Sequence, residues 1–442
     1  MEQLRWVDVI ALTFLGLLWY FISSKQTNKQ HQPPPPSPPS PSSLPIIGHL
    51  HLLNTNQPVH RSLHELSSKY GPIYSLKLGR VMVVVISSPS LVKECFIKND
   101  AILANRPYNR TSVHFHYNGT TLAAAPYGSY WRELRRITNL EFFSATRLNL
   151  FTHAREEEIK SLIKDFTLEK ENLHASFVKV EIKSELFQCF FNIIMRMLIG
   201  KIYAGKELDE ILKEIFELSG AVQDPNQYSD QTIRGIILIM LLGGIDTAII
   251  TMEWTLALLL NNQNVLHKAQ LEIDSCIGRE RLVDESDLDN LKFIQNIINE
   301  TLRLFPPGPL LLHESSEDCN IAGYQVRKGT MVLVNTWAVH RDRNVWDDPL
   351  AFTPERFEGF TVNEYRSSFI PFGLGRRSCP GTSLANRTMT LLLTALIQCF
   401  DWETNGGMNV DLIEGSGLMP MATPLVAMCI IRYGMSHLIS NL

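Results

Sequence analysis

The residues with the most evident chemistry lie in one stretch, Pro371-Phe372-Gly373-Leu374-Gly375-Arg376-Arg377-Ser378-Cys379-Pro380-Gly381. It is a glycine-rich loop running into a helix predicted to start near Thr382. Arg376, Arg377 and a helix N-terminus surround one cysteine, and each favours thiolate over thiol. The glycines allow the backbone to approach something large and flat. A thiolate in this setting is a nucleophile or a metal ligand. A nucleophile wants a histidine partner, and no nearby histidine stands out.

Three further groupings accompany it. Gly243-Gly244-Ile245-Asp246-Thr247 interrupts an aliphatic run from Ile236 to Leu260. The glycines would open a groove in a buried central helix, with Asp246 and Thr247 as a proton-relay pair beside it. The structural alternative is a helix kink in which Thr247 bonds back to the preceding turn. Glu300 and Arg303 lie three residues apart on one predicted helix, and Arg356, in Pro354-Glu355-Arg356-Phe357, offers a third charge for a buried cluster. Trp131 and Arg135 are one helical turn apart and face the same way.

The chain that must position these residues has 442 residues, 45% hydrophobic and 19% charged. That supplies ample apolar surface for a core and excludes disorder of the whole chain. Lys and Arg number 41 against 45 Asp and Glu, which argues against a basic nucleic-acid binder. The seven cysteines are odd in number and widely spaced, with no C-x-x-C, so neither a disulfide framework nor a zinc ribbon fits. A reducing compartment follows. An apolar run from Trp6 to Ile22 reads as an uncleaved membrane anchor within residues 1–24. Residues 25–45 form a proline-rich hinge, with eight prolines between Pro33 and Pro45. The remaining domain is residues 46–442.

Within it, Ile73–Leu78 and Val81–Ile86 are predicted strands joined at Gly79-Arg80. Ile321–Val326 and Thr330–Val334 are predicted to pair around Lys328-Gly329. Helices are expected near 58–69, 129–138, 142–168, 184–202, 206–221, 230–261, 264–276, 287–304 and 382–399. The fold class is mainly α with small peripheral β-sheets.

Together these motifs resemble the cytochrome P-450 family of haem-thiolate monooxygenases. The pattern F-x-x-G-x-R-x-C-x-G is met by Phe372, Gly375, Arg377, Cys379 and Gly381. Gly243, Gly244, Asp246 and Thr247 meet the central-helix pattern, with Ala248 where Thr or Ser is frequent. Glu300, Arg303 and Arg356 meet the E-x-x-R and P-E-R-F elements. The anchor and proline hinge resemble the eukaryotic microsomal type. Leu44–Leu50, Ala125–Gly128 and His313-Glu314-Ser315-Ser316 resemble plant isoflavone and flavonoid hydroxylases.

The resemblance implies a haem b cofactor with Cys379 as axial iron ligand, its thiolate pushing electron density toward the iron. It implies haem-propionate contacts from Trp131, Arg135, His313 and Arg377, and proton guidance by Asp246 and Thr247. Glu300, Arg303 and Arg356 would be a structural cluster holding the Cys379 loop. With no G-x-G-x-x-G after a strand, NADPH electrons would come from a partner P-450 reductase. Other implied partners are membrane lipid, O₂ and a small apolar substrate. The location would be the endoplasmic reticulum membrane, with the domain on the cytosolic side.

The family has several tens of residues between the helix near 206–221 and the central helix, where this chain has only Gln223–Tyr228. Arg343 also stands where the family commonly has proline. A catalytically impaired haem protein is therefore the second reading. A two-span membrane protein using 6–22 and 236–260 is the third.

Overall fold

The computed structural model describes residues 35–53, 56–114, 116–168, 177–199, 230–359 and 365–442. The anchor run, the helix near 206–221 and the Gln223–Tyr228 connection lie outside the described residues. Nine helices of ten residues or more are described: α1 (Val59–Tyr70), α2 (Ser129–Thr138), α3 (Thr152–Leu168), α4 (Ile182–Ile199), α5 (Asp230–Gly244), α6 (Asp246–Asn261), α7 (Gln263–Cys276), α8 (Lys292–Leu304) and α9 (Thr382–Cys399). Nine strands join them: β1 (Ile73–Leu78), β2 (Val81–Ile86), β3 (Val178–Glu181), β4 (Leu310–Glu314), β5 (Cys319–Ile321), β6 (Tyr324–Val326), β7 (Met331–Asn335), β8 (Phe400–Thr404) and β9 (Val426–Ile431). The mainly helical expectation holds.

The core is built on α6. Every residue from Ala248 to Leu260 is buried, and α6 packs on α4, α8 and α9. A helix apolar all round must be covered all round, and here protein covers it. The remainder, residues 236–247, is too short for a second membrane span at 236–260. Trp254 anchors this helix: its ring stacks on Phe305 with centroids 3.8 Å apart, and its indole N–H donates to the Met419 carbonyl at 2.9 Å.

Three local expectations are corrected. The predicted 321–326/330–334 hairpin does not form. Instead β5 pairs with β6 across a turn at Ala322-Gly323, and β7 pairs antiparallel with β4 and parallel with β2. The four-stranded order is β1-β2-β7-β4. Met331–Asn335 is almost continuously buried, the pattern of a central strand rather than a hairpin arm. Helix 142–168 is interrupted at Ser144 and Phe151. The helix expected from 287 starts at Lys292, after a capped turn over Glu285–Asn290.

The compact unit starts at Ser37, inside the proline tract rather than after it. The Pro39 carbonyl accepts the Ser75 N–H at 2.7 Å, and the Pro41 carbonyl meets His49 Nε2 at 2.9 Å. Proline lacks a donor but keeps its acceptor, so this segment can cap the exposed edge of β1 without inviting another strand.

Two buried carboxylates gather charge clusters that tie distant segments together. Glu300 and Arg303 are fully buried, with Arg303 Nε–Glu300 Oε2 2.7 Å and Arg356 Nε–Glu300 Oε1 2.9 Å. Arg303 also donates to the carbonyls of His340 (2.9 Å), Pro349 (2.8 Å) and Ala351 (3.1 Å), and the Thr353 N–H donates to Glu300 at 2.9 Å. Glu300→Ala is expected to strand two guanidinium groups in the interior. The loss should be about 3–5 kcal/mol of stability, read as a fall in the denaturant midpoint and in recovered soluble protein. Soluble Glu300→Ala protein with an unchanged midpoint would refute this.

The second cluster sets Glu414, buried, against His60 (2.9 Å) and Arg61 (2.7 Å) of α1. Burial alone would raise this carboxyl; the bonds to His60 and Arg61 outweigh it and hold it down at about 2 against an ordinary 4.5. The folded state therefore binds this proton less readily than the unfolded chain. Its stabilisation is complete above pH 4.5 and is lost as pH falls toward 2. It is at most about 3 kcal/mol, and less after solvent screening at the half-exposed Arg61. The stability gap between wild type and Glu414→Gln should narrow steadily over that acid range in denaturant titrations.

Candidate active site

A cavity of about 350 Å³ lies between the Cys379 loop with the start of α9 and the junction of α5 with α6. Phe372, Cys379 and Gly381 line it from the loop side, and Gly243, Gly244 and Thr247 line it from the helix junction. Most of the remaining wall is aliphatic or aromatic. Arg106, His313 and Arg377 mark one edge. No carboxylate belongs to the lining among the described residues.

The loop that presents Cys379 is held by backbone bonds. The Cys379 N–H donates to the Phe372 carbonyl at 2.8 Å, and the Thr382 hydroxyl donates to the Cys379 carbonyl at 3.0 Å. Cys379 is open to the cavity, yet the protein packed around its sulfur desolvates the thiol and pushes it up; the Gly381 N–H, Arg135 and the Thr382 hydroxyl pull the other way. The cation acting on the sulfur is thus Arg135 of α2, whose guanidinium donates to the Ser378 carbonyl at 2.7 Å. The adjacent arginines face elsewhere, contrary to the sequence expectation. Arg376 pairs with Asp100. Arg377 donates to the carbonyls of Ala104, Leu122 and Ala125 and lies 4.4 Å over the Trp131 ring.

Of the four residues expected at haem propionates, His313 and Arg377 reach the cavity wall. Trp131 and Arg135 do not. The Trp131 indole is buried and donates to the Leu122 carbonyl at 2.9 Å, which makes it a platform under Arg377. Gly375 is also outside the wall, because its missing side chain points at Asp100.

Arg106 was not visible as a site residue. It comes from the loop after Ile102–Ala104, with no motif to mark it, and joins the edge by donating to the Leu312 carbonyl of β4. Burial lowers Arg106 to about 10. Burial, then Arg106 and Arg135, lower Arg377 to about 9. Burial, Arg106 and Arg377 push His313 down to about 3, so its ring is neutral and meets the Leu103 carbonyl at 2.7 Å. Desolvated, mutually repelling cations without a carboxylate fit a ligand with an anionic edge. A largely apolar ligand with carboxylates at one edge and affinity for a thiolate would match this donor set.

The central helix breaks where the glycines stand. Ile245 separates α5 from α6, and the Thr247 hydroxyl donates to the Gly243 carbonyl at 2.7 Å. This is the kinked arrangement weighed above. The space beside Gly243 is open, whereas a Cβ on Gly244 would lie 3.0 Å from Ile194 of α4. Thr247 lines the cavity; Asp246 is exposed and is not among the lining residues.

Glu300, Arg303 and Arg356 stand apart from the cavity but connect to the loop. The ring of His340, whose carbonyl Arg303 grips, accepts the Ile370 N–H at 2.8 Å through Nε2. Ile370 immediately precedes Pro371. Burial, then Arg303 and Arg341, push His340 down to about 3, consistent with a neutral acceptor. This histidine too escaped sequence reasoning, because nothing local distinguishes it.

Comparison with known proteins agrees with this geometry. The family described as Cytochrome P450 matches residues 38–227 and 211–429. The two pieces overlap over 211–227, a stretch that runs into the short Gln223–Tyr228 connection. Cytochrome P450 81Q32 of Catharanthus roseus is 40% identical over 494 positions, covering 96% of this chain and 97% of the relative. Isoflavone 3'-hydroxylase of Medicago truncatula is 40% identical over 499 positions, covering 96% and 98%. Both alignments are longer than the 442 residues of this chain, so the relatives carry residues without a counterpart here. A zebra fish cytochrome P450 solved with abiraterone superposes with a TM-score of 0.75 at 25% identity, covering 85% of this chain and 100% of that one.

Arg106→Ala should weaken haem retention about tenfold, as expected for loss of one charge-assisted bond. The measurement is the rate of haem transfer to an excess of a haem-scavenging protein. An unchanged rate would place Arg106 outside the binding edge.

Proposed function

We propose that this chain, which belongs to the cytochrome P450 family and is a P450 monooxygenase, hydroxylates an apolar plant metabolite of the isoflavone or flavonoid kind. The observation that carries the chemistry is the cavity itself, with one cysteine on its wall, half-buried cations at its edge and a mostly apolar lining. The substrate class is supported by the relatives, among them the isoflavone 3'-hydroxylase and an isoflavone 2'-hydroxylase of Glycyrrhiza echinata. Haem supplies the activation of O₂ when bound, using electrons delivered from NADPH by a separate reductase.

The protein's own residues divide the remaining work. Cys379 would hold the iron through its sulfur, kept in line by the Phe372 carbonyl and the Gly381 N–H. His313, Arg377 and Arg106 would hold the carboxylate edge. Phe372, Leu311 and Met240 exclude water from the face they line. Thr247 presents a hydroxyl at the cavity wall, and its bond to Gly243 keeps that hydroxyl oriented rather than free to rotate. Asp246, the exposed first residue of α6, would guide protons from solvent toward Thr247. An endoplasmic reticulum location through the N-terminal run fits this reading.

The second reading concerns efficiency. The relatives' extra positions and the two-piece family match support a chain without the segment that roofs the pocket after Val222. Water would then reach the cavity and electrons would leave as peroxide. Restoring a family-length segment should raise product formed per NADPH.

Three variants test the assignment. Cys379→Ser should abolish the red-shifted Soret band of the reduced carbon monoxide complex, whereas Cys399→Ser, buried at the end of α9, should keep it. Thr247→Ala should lower product formed per NADPH consumed with reductase supplied. An unchanged ratio would leave Thr247 a packing residue at the kink.

A further inference from the structure

Gly375 leads away from the cavity to a residue with no assigned role. A Cβ at this position would lie 2.3 Å from Asp100 Oδ1 and 2.9 Å from its Cγ. The backbone there has φ +74°, which side-chain-bearing residues rarely adopt. The Asp100 carboxylate therefore occupies the space a side chain would fill. It accepts the Arg376 N–H at 3.0 Å and, through its other oxygen, the Arg376 guanidinium. The same guanidinium donates through Nε to the Tyr127 hydroxyl at 2.9 Å. Tyr127 in turn packs on Trp131 with ring centroids 5.5 Å apart.

Asp100 is held firmly enough to act as a support. It follows the π-helical turn Glu94–Lys98, and the Asn99 carbonyl after that turn accepts the Leu103 N–H at 2.9 Å. Its side chain is only 16% exposed. From Arg376 the chain runs two residues to Ser378, whose carbonyl Arg135 holds, and then to Cys379. The loop is thus pinned at Ser378 by a cation and at Gly375-Arg376 by a carboxylate, and the sulfur projects just beyond the second pin.

We propose that Asp100 is a positioning residue for the thiolate. It fixes the turn Gly375–Arg377 and thereby the direction from which Cys379 enters the cavity, without touching the cavity itself. Its negative charge also neutralises Arg376, so that cation adds little to the crowded positive edge at Arg377 and Arg106. This rests on the haem-thiolate reading above. It also gives Gly375 a reason distinct from cofactor contact: the glycine makes room for a carboxylate.

The test uses full-length, haem-loaded protein in wild-type form and as Asp100→Asn, Asp100→Ala, Gly375→Ala and the Asp100→Ala/Gly375→Ala double variant. The readouts are haem per chain, the fraction of the reduced carbon monoxide complex with the red-shifted Soret band, and the reduction potential. Asp100→Asn keeps an oxygen for the Arg376 N–H and should retain the band while shifting the potential. In Asp100→Ala the ratio of red-shifted to unshifted band should fall roughly two- to tenfold, as for loss of one or two hydrogen bonds. Gly375→Ala should lose the band, and the double variant should recover part of it, because the methyl then finds the space vacated by the carboxylate. An Asp100→Ala protein with wild-type band ratio and potential overturns the proposal. So does a double variant no better than Gly375→Ala, an outcome that decides the matter even if Asp100→Ala alone yields no soluble protein. A wild-type chain lacking the red-shifted band overturns the haem-thiolate reading, and the support role with it.

Discussion

One buried carboxylate organises the route from the core to the reactive loop. Glu300 has no exposure to water, and its charge is tolerable only because Arg303, Arg356 and the Thr353 N–H converge on it. Arg303 spends its remaining donors on three carbonyls, one of them that of His340. The His340 ring then accepts the Ile370 N–H, and the Cys379 loop begins one residue later. Desolvated charges of this kind do not add much net stability over a well-packed apolar substitute. What they add is a single geometry, since any other arrangement leaves a charge unpaired.

The loop itself is a meeting place for elements far apart in sequence. Arg135 of α2 grips Ser378, Arg377 reaches three carbonyls between Ala104 and Ala125, and Asp100 receives Arg376. Arg135, Asp100 and the carbonyls that Arg377 reaches all lie outside the glycine-rich motif. The motif supplies the sulfur and the freedom to turn; the earlier third of the chain supplies the acceptors and the countercharge. The cavity inherits its polarity from the same arrangement, because the cations that fasten the loop also form or border its positive edge.

Local signals carried the sequence reading where local physics decides the outcome. The alternating and short apolar runs at Ile73–Leu78 and Val81–Ile86, joined by Gly79-Arg80, form the antiparallel pair expected of them. The helix after Gly381 begins at Thr382, because Pro380-Gly381 cannot continue a preceding element. The Glu300–Arg303 spacing was readable as a pair, though its burial depended on what packs around it. The failures share a different cause. Met331–Asn335 pairs with Val81–Ile86 in parallel, and no turn signal announces a partner so distant. Arg106, Asp100 and His340 lie in unremarkable local sequence and become functional only through tertiary neighbours. The glycines at 243 and 244 signalled a special place in the central helix, but not whether it would be a groove, a kink or both.

The separation between the loop and its fastenings bears on how the protein is made. Arg377 finds its carbonyl partner at Ala104 across 273 positions, and Arg376 its carboxylate across 276. During synthesis the segment from Asp100 to Arg135 leaves the ribosome long before Cys379 exists. Its acceptors must wait, solvated and without the guanidinium groups that will occupy them. Contacts of such long range form late and slowly. The sulfur-bearing pocket is therefore among the last features to take shape, and a nascent chain halted before the Cys379 loop has no place to receive a prosthetic group.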